Sequence, residues 1–170
     1  TITHNILQTA FPMLVAQVLN LLYSIVDRVY IGRIPGAGTE ALGAVGLCFP
    51  IIILVTGFTN MFGLGGAPLF SMALGQGNRE KAIDIQNTAL RLLVLVGAGI
   101  VLVGELLGDR ILLLFGATTG ELSLALPYLR IYLVGTIFIM VSTGMNAYIN
   151  AQGFPVIGMI SVTIGAAANL

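Results

Sequence analysis

Residues 17–32 read QVLNLLYSIVDRVYIG, the end of an apolar run from Leu7 to Ile31 in which polar side chains recur at regular intervals and an acid and a base stand side by side. About 20 mostly apolar residues suffice to cross a bilayer as a helix, and the run is long enough. An ionised side chain is expensive in hydrocarbon, so Asp27 and Arg28 either mark a snorkelling helix end or serve a function. At about 100° per residue, Gln17, Asn20, Ser24 and Asp27 fall within an arc of roughly 80°, while Leu14, Leu21, Leu22, Ile25 and Val26 cover most of the rest. Polar groups facing lipid lack partners, so this stripe is expected to point into a bundle or a water-filled cavity. Two readings follow from that placement: interhelical glue, or the wall of a cavity.

Asp27 sharpens the second reading. A low-dielectric site disfavours a charged carboxylate unless a cation or donors compensate, so such a group can take up and release a proton or a metal cation. Sodium, a hard cation, prefers oxygen ligands, and Asn20 or Ser24 can add side-chain oxygens to those of Asp27. Pro12 is either a bend-permitting residue inside the helix, leaving the carbonyl of Gln8 unpaired, or a tolerated helix starter. Arg28 complicates the picture, because a nearby guanidinium favours the ionised acid and repels a metal cation.

The rest of the chain has the same character. Seven Lys and Arg balance seven Asp and Glu, and 57% of 170 residues are hydrophobic, so charged side chains are about a third as frequent as in soluble domains. No globular core of this size absorbs that much apolar surface, which places the chain in lipid. A net charge of zero offers no field for nucleic acid. The single cysteine, Cys48, permits no internal disulfide and reads as a small apolar residue. The chain opens at Thr1 and stops within an apolar run, so it is expected to be a piece of a longer protein; no signal-peptide pattern is apparent near its start.

Punctuation divides the sequence into helices at about 7–31, 41–74, 82–107, 122–151 and 154–170, the last cut short. GRIPGAG, whose Gly and Pro residues break a helix, GQGNREK and AQGFP mark three of the four separations. The second run is longer than a straight crossing requires, so tilt, a kink at Pro50 or loosening at Gly63–Gly66 is expected. Short connections predict antiparallel neighbours, giving an all-α polytopic membrane protein built as an antiparallel transmembrane bundle. Basic residues are distributed too evenly to orient it. Abundant glycine suits close helix packing in lipid. Thr56, Asn60 and Gly63 form one face of the second helix, and Ser142, Asn146 and Asn150 one face of the fourth. Either face could line a cavity or join helices. Arg130 reads as a snorkelling residue or the partner of a buried acid.

The order PMLVAQVLNLLYSIVDRVYIGRIPG, ALGAVGLCFPI, GLGGAPLFSMALGQGN, YLRIYLVG and NAQG resembles the amino-terminal half of the multidrug and toxin extrusion (MATE) family along nearly the whole chain. The resemblance implies about five helices of a six-helix lobe, with a carboxy-terminal lobe in the same protein, in a multi-pass plasma-membrane transporter that is expected to be prokaryotic. It implies a secondary antiporter exporting organic, often cationic or amphipathic drugs or toxins in exchange for Na+ or H+, with no other cofactor. Asp27 matches the family's first-helix acid of the cation site, and Asn169 an Asn preceding a second acid. Pro12, Gln17, Asn20 and Tyr23 match the first-helix proline and cavity positions, and Ser24 and Asn60 are expected to share that cavity. Arg28 departs from the small or hydroxylated residue usual after the acid, which bears on the identity of the ion.

Three other classes compete. An exporter of lipid-linked or metabolic cargo on a related fold would be expected to have a more basic, laterally open cavity. An intramembrane enzyme is poorly supported, because His4 is the only histidine, Cys48 has no evident base, and no paired-acid metal motif appears. A noncatalytic scaffold would use the polar stripes as glue alone.

Overall fold

The computed structural model describes the backbone of residues 2–169 and the side chains of residues 10–165 and 167. Five helices follow one another: α1 (Ile2–Gly32), α2 (Gly38–Gly75), α3 (Arg79–Leu114), α4 (Thr119–Ala151) and α5 (Pro155–Asn169). Four of them are long and apolar enough to cross a membrane, and Pro155–Gly165 is a shorter apolar helix. At 1.5 Å per residue, α2 to α4 are about 50–57 Å long, well beyond the roughly 30 Å of a hydrocarbon core, so their ends reach into the interfaces or they tilt.

Local chemistry explains where these helices start and stop. Asn78 caps α3, accepting from the Lys81 N–H, so this helix begins three residues before the apolar pattern alone suggests. Thr118 and Glu121 form a reciprocal capping box at the start of α4. Each capping side chain satisfies backbone donors that the first turn leaves over. At the other end, α2, α3 and α4 stop the same way, with a positive-φ glycine at Gly77, Gly116 and Gly153. Around Gly77, the Asn78 and Gly77 N–H groups donate to the carbonyls of Ala73 and Leu74, closing a Schellman motif. The same pair of bonds recurs around Gly116 and Gly153.

Helices α2, α3 and α4 pack closely on one another, and α1 packs mainly against α5. Consecutive helices run antiparallel, so α2 and α4 lie parallel, as do α1 and α5. Glycines set the spacing in the three-helix group. A Cβ on Gly63 would stand 2.9 Å from the Cα of Gly144, and one on Gly97 would stand 3.2 Å from the Met140 sulfur. The Gly63–Gly66 segment, expected as a point of loosening, remains helical within α2. Its glycines instead let α4 come close, which is how small residues promote association in lipid.

The core falls into three clusters along this group. Ala44, Cys48, Leu112, Ala125, Leu129 and Leu133 meet near the α3–α4 turn, and Val55, Leu93 and Met140 lie at mid-height. Phe70, Ala73, Ala82, Ala89 and Tyr148 close the opposite end. Cys48 is fully buried and its thiol donates to the Ala125 carbonyl at 3.6 Å. It is a packing residue, as its solitary position in the sequence suggests.

Candidate functional site

Pro12 lies inside α1, ten residues after its start, and is buried. The helix-starter alternative therefore does not apply. Without an N–H at residue 12, the carbonyl of Gln8 loses its usual partner and α1 has a point where bending costs less.

The polar stripe of α1 is only partly covered. Gln17, Asn20 and Asp27 are exposed, while Tyr23 and Ser24 are half-buried. Among the described residues α1 has no close backbone approach to α4, so the two helices interact across a gap. Tyr128 lies within electrostatic reach of Asp27, Arg28, Tyr23 and Cys48, and Tyr132 lies within reach of Tyr128 and Tyr23.

Tyr23 and Asp27 of α1 thus stand within electrostatic reach of Tyr128 of α4, and Tyr23 also within reach of Tyr132, across the gap between α1 and α4. Tyr128 and Tyr132 were not among the expected site residues. Their signal was present in PYLRIYL, where a spacing of four puts both rings on one helix face.

Arg28 reaches α2, its guanidinium carbon 5.5 Å from the centroid of the Phe49 ring. That cation–π contact ties α1 to α2 one residue beyond Asp27.

The other polar faces separate into two kinds. Asn60 is exposed on α2, whereas Thr56 and Thr59 spend their hydroxyls within that helix, donating to the carbonyls of Ile52 at 2.9 Å and Val55 at 2.7 Å. Gly63 is a packing contact. On α4, Asn146 donates to the Gly158 carbonyl of α5 at 3.1 Å, and Asn150 donates to Asn146 Oδ1 at 3.1 Å. For these two asparagines the glue reading is the one the structure supports. Asn169 stands at the end of α5, which packs beside α1; its side chain lies outside the described residues.

Comparison with known proteins is consistent with this architecture. The MatE family model matches residues 12–170. The multidrug export protein MepA of Staphylococcus aureus strain MRSA252 is 24% identical over 161 residues, covering 95% of this chain and 35% of that protein. MepA of Staphylococcus saprophyticus is 23% identical over 159 residues, with 94% and 35% covered. The chain therefore spans about a third of the length of these relatives.

Two solved structures superpose with a TM-score of 0.87. One, an outward-facing multidrug resistance MATE family transporter of the MOP superfamily, is 22% identical, with 96% of this chain and 36% of the other covered. The second, a MOP superfamily transporter from Pyrococcus furiosus whose binding pocket is described as of reverse polarity, is 24% identical, with 96% and 35% covered. At these identities the superpositions speak for the fold, while the family match extends over nearly all of the sequence. Five helices, the stripe on the first and a family match from Pro12 onward give one conclusion: the chain belongs to the MatE family.

Proposed function

We propose that this chain is the amino-terminal lobe of a multi-pass secondary antiporter in a prokaryotic plasma membrane, exporting organic, often cationic or amphipathic compounds in exchange for Na+ or H+. What supports this reading is the polar stripe of α1, in which Gln17, Asn20, Ser24 and Asp27 are exposed or half-buried within an apolar helix, with Tyr128 of α4 within electrostatic reach of Asp27. Asp27 is the coupling group. Binding a proton or a metal cation neutralises its charge, which removes the cost of carrying a bare carboxylate within an apolar helix. Oxygens of Asn20 and Ser24, together with Asn169 from α5, extend the set available to Na+.

The cargo occupies the gap between α1 and α4, its cationic or aromatic part against Tyr23, Tyr128 and Tyr132 and its polar groups on Gln17 and Asn60. Coupling requires that ion and cargo favour different states of the protein. The proline-relaxed segment of α1 at Pro12 provides a place where those states can differ, and a second lobe completes the alternating passage.

The test uses the full gene product in proteoliposomes under an imposed Na+ or pH gradient. Asp27→Asn is expected to abolish gradient-driven efflux of a fluorescent organic cation while membrane insertion remains normal. Wild-type efflux by this variant would reject Asp27 as the coupling group. The gradient that drives the wild-type protein identifies the ion.

A further inference from the structure

One pair of charges lies away from the polar stripe of α1. Glu105 of α3 and Arg130 of α4 approach at 3.7 Å through Oε2 and Nε, with side chains 37% and 55% exposed. Arg130 is two residues from Tyr128, so the two side chains leave α4 about 160° apart and the pair sits on the opposite side of this helix. Around it Leu102, Leu106, Ile131 and Val134 are all exposed. In a membrane protein such a surface meets acyl chains.

The depth of the pair can be read from the helices. Asp109 and Arg110 are exposed one turn beyond Glu105 on α3, so Glu105 lies about 6 Å further from that helix end than Asp109. Arg130 follows Thr119 by eleven residues, about 17 Å along the axis. Helices of about 50 Å overhang a 30 Å core by about 10 Å at each end when centred, leaving Arg130 about 7 Å inside the boundary. A long side chain can reach the headgroup region from there.

The pair leaves bonding capacity unused. Its single long contact engages one of the five guanidinium donors and one of the two carboxylate oxygens. At that depth both side chains can turn their remaining donors and acceptors toward lipid headgroups. An anion would satisfy Arg130 and be repelled by Glu105. A molecule carrying both signs, with N–H donors on its cationic end, satisfies both residues.

We propose that Glu105 and Arg130 form a headgroup site for a bilayer aminophospholipid, with its phosphate on Arg130, its primary ammonium on Glu105, and its acyl chains along Leu102, Leu106, Ile131 and Val134. The apolar surroundings select a lipid over a soluble zwitterion. The site lies in the leaflet at the α3–α4 turn and gives the transporter a lateral contact that depends on membrane composition.

The full gene product, purified with phosphatidylethanolamine, phosphatidylcholine and phosphatidylglycerol of identical acyl chains, tests this by native mass spectrometry of retained lipid. Phosphatidylethanolamine is expected to be retained about tenfold over the other two, the effect of one charge-assisted hydrogen bond. Phosphatidylcholine lacks the N–H donors, and phosphatidylglycerol lacks the cation. Glu105→Gln is expected to bring phosphatidylethanolamine down to the phosphatidylcholine level, and Arg130→Gln to lower retention of all three. Wild-type protein that retains phosphatidylethanolamine no better than either competitor overturns the proposal, and this comparison needs no variant. So does a preference that Glu105→Gln leaves unchanged.

Discussion

Tyr148 shows how one hydroxyl can hold two membrane helices in register. Its ring is fully buried, it meets Phe70 edge-on at 5.4 Å, and its hydroxyl donates to the Phe62 carbonyl across the α2–α4 contact at 2.9 Å. Gly66 makes room, since a Cβ there would collide with that hydroxyl. Tyr148→Phe keeps the ring and removes the bond, with an expected loss of about 0.6–1 kcal/mol seen as a lower unfolding midpoint in detergent. An unchanged midpoint would show that the bond contributes nothing net. The residue scale is also where sequence reading was uneven. The stripe from Gln17 to Asp27 was legible because helical periodicity places its members without knowledge of any neighbour. Tyr148 was not, because its partner lies 86 residues away and no local pattern records that pairing.

At the scale of elements, glycine usage separates into contact and filler. In α2 a Cβ on Gly63 would press on the Gly144 backbone, whereas one on Gly57 would meet nothing within 4 Å. Backbone cannot yield as a flexible side chain can. Gly63→Ala is therefore expected to separate α2 from α4 and lower thermal stability by about 1–3 kcal/mol, as overpacking does. Gly57→Ala is expected to be neutral or slightly stabilising, since Ala is the better helix former. Equal midpoints for the two variants would contradict this assignment of the close approach. Sequence composition alone flags all 22 glycines alike. Three of the four that break the chain at the turns, Gly36, Gly77 and Gly153, stand beside Pro, Gln or Asn signals and could be recognised; Gly116, between Phe115 and Ala117, has no such signal, and those that seat a facing helix depend on how the crossing falls.

At the scale of the whole molecule, α1 and α5 form a pair held more lightly to the group of α2, α3 and α4 than those three are to one another. At one end of α5 the link is the Asn150–Asn146–Gly158 relay between α4 and α5. A Cβ on Gly158 would meet Asn146 Oδ1 at 2.9 Å and press on Asn150 Oδ1. Gly158→Ala is expected to push α5 from α4 and speed amide hydrogen exchange along α5, while Gly165→Ala, with open space around it, leaves exchange unchanged. If both variants exchange at the wild-type rate, the relay does not secure α5.

What the sequence determined by itself was whatever depends on neighbours close along the chain: apolar runs long enough for lipid, Gly and Pro signals between them, and a polar stripe on α1. The tertiary structure decided which polar residues work together. It took Asn146 and Asn150 for the join to α5 and brought Tyr128 within electrostatic reach of Asp27. It also paired Arg130 with Glu105 on the far side of α4. The physical reason is that helical periodicity specifies the direction of a side chain about its own axis, whereas its partner depends on which helices are adjacent and how closely their glycines let them approach.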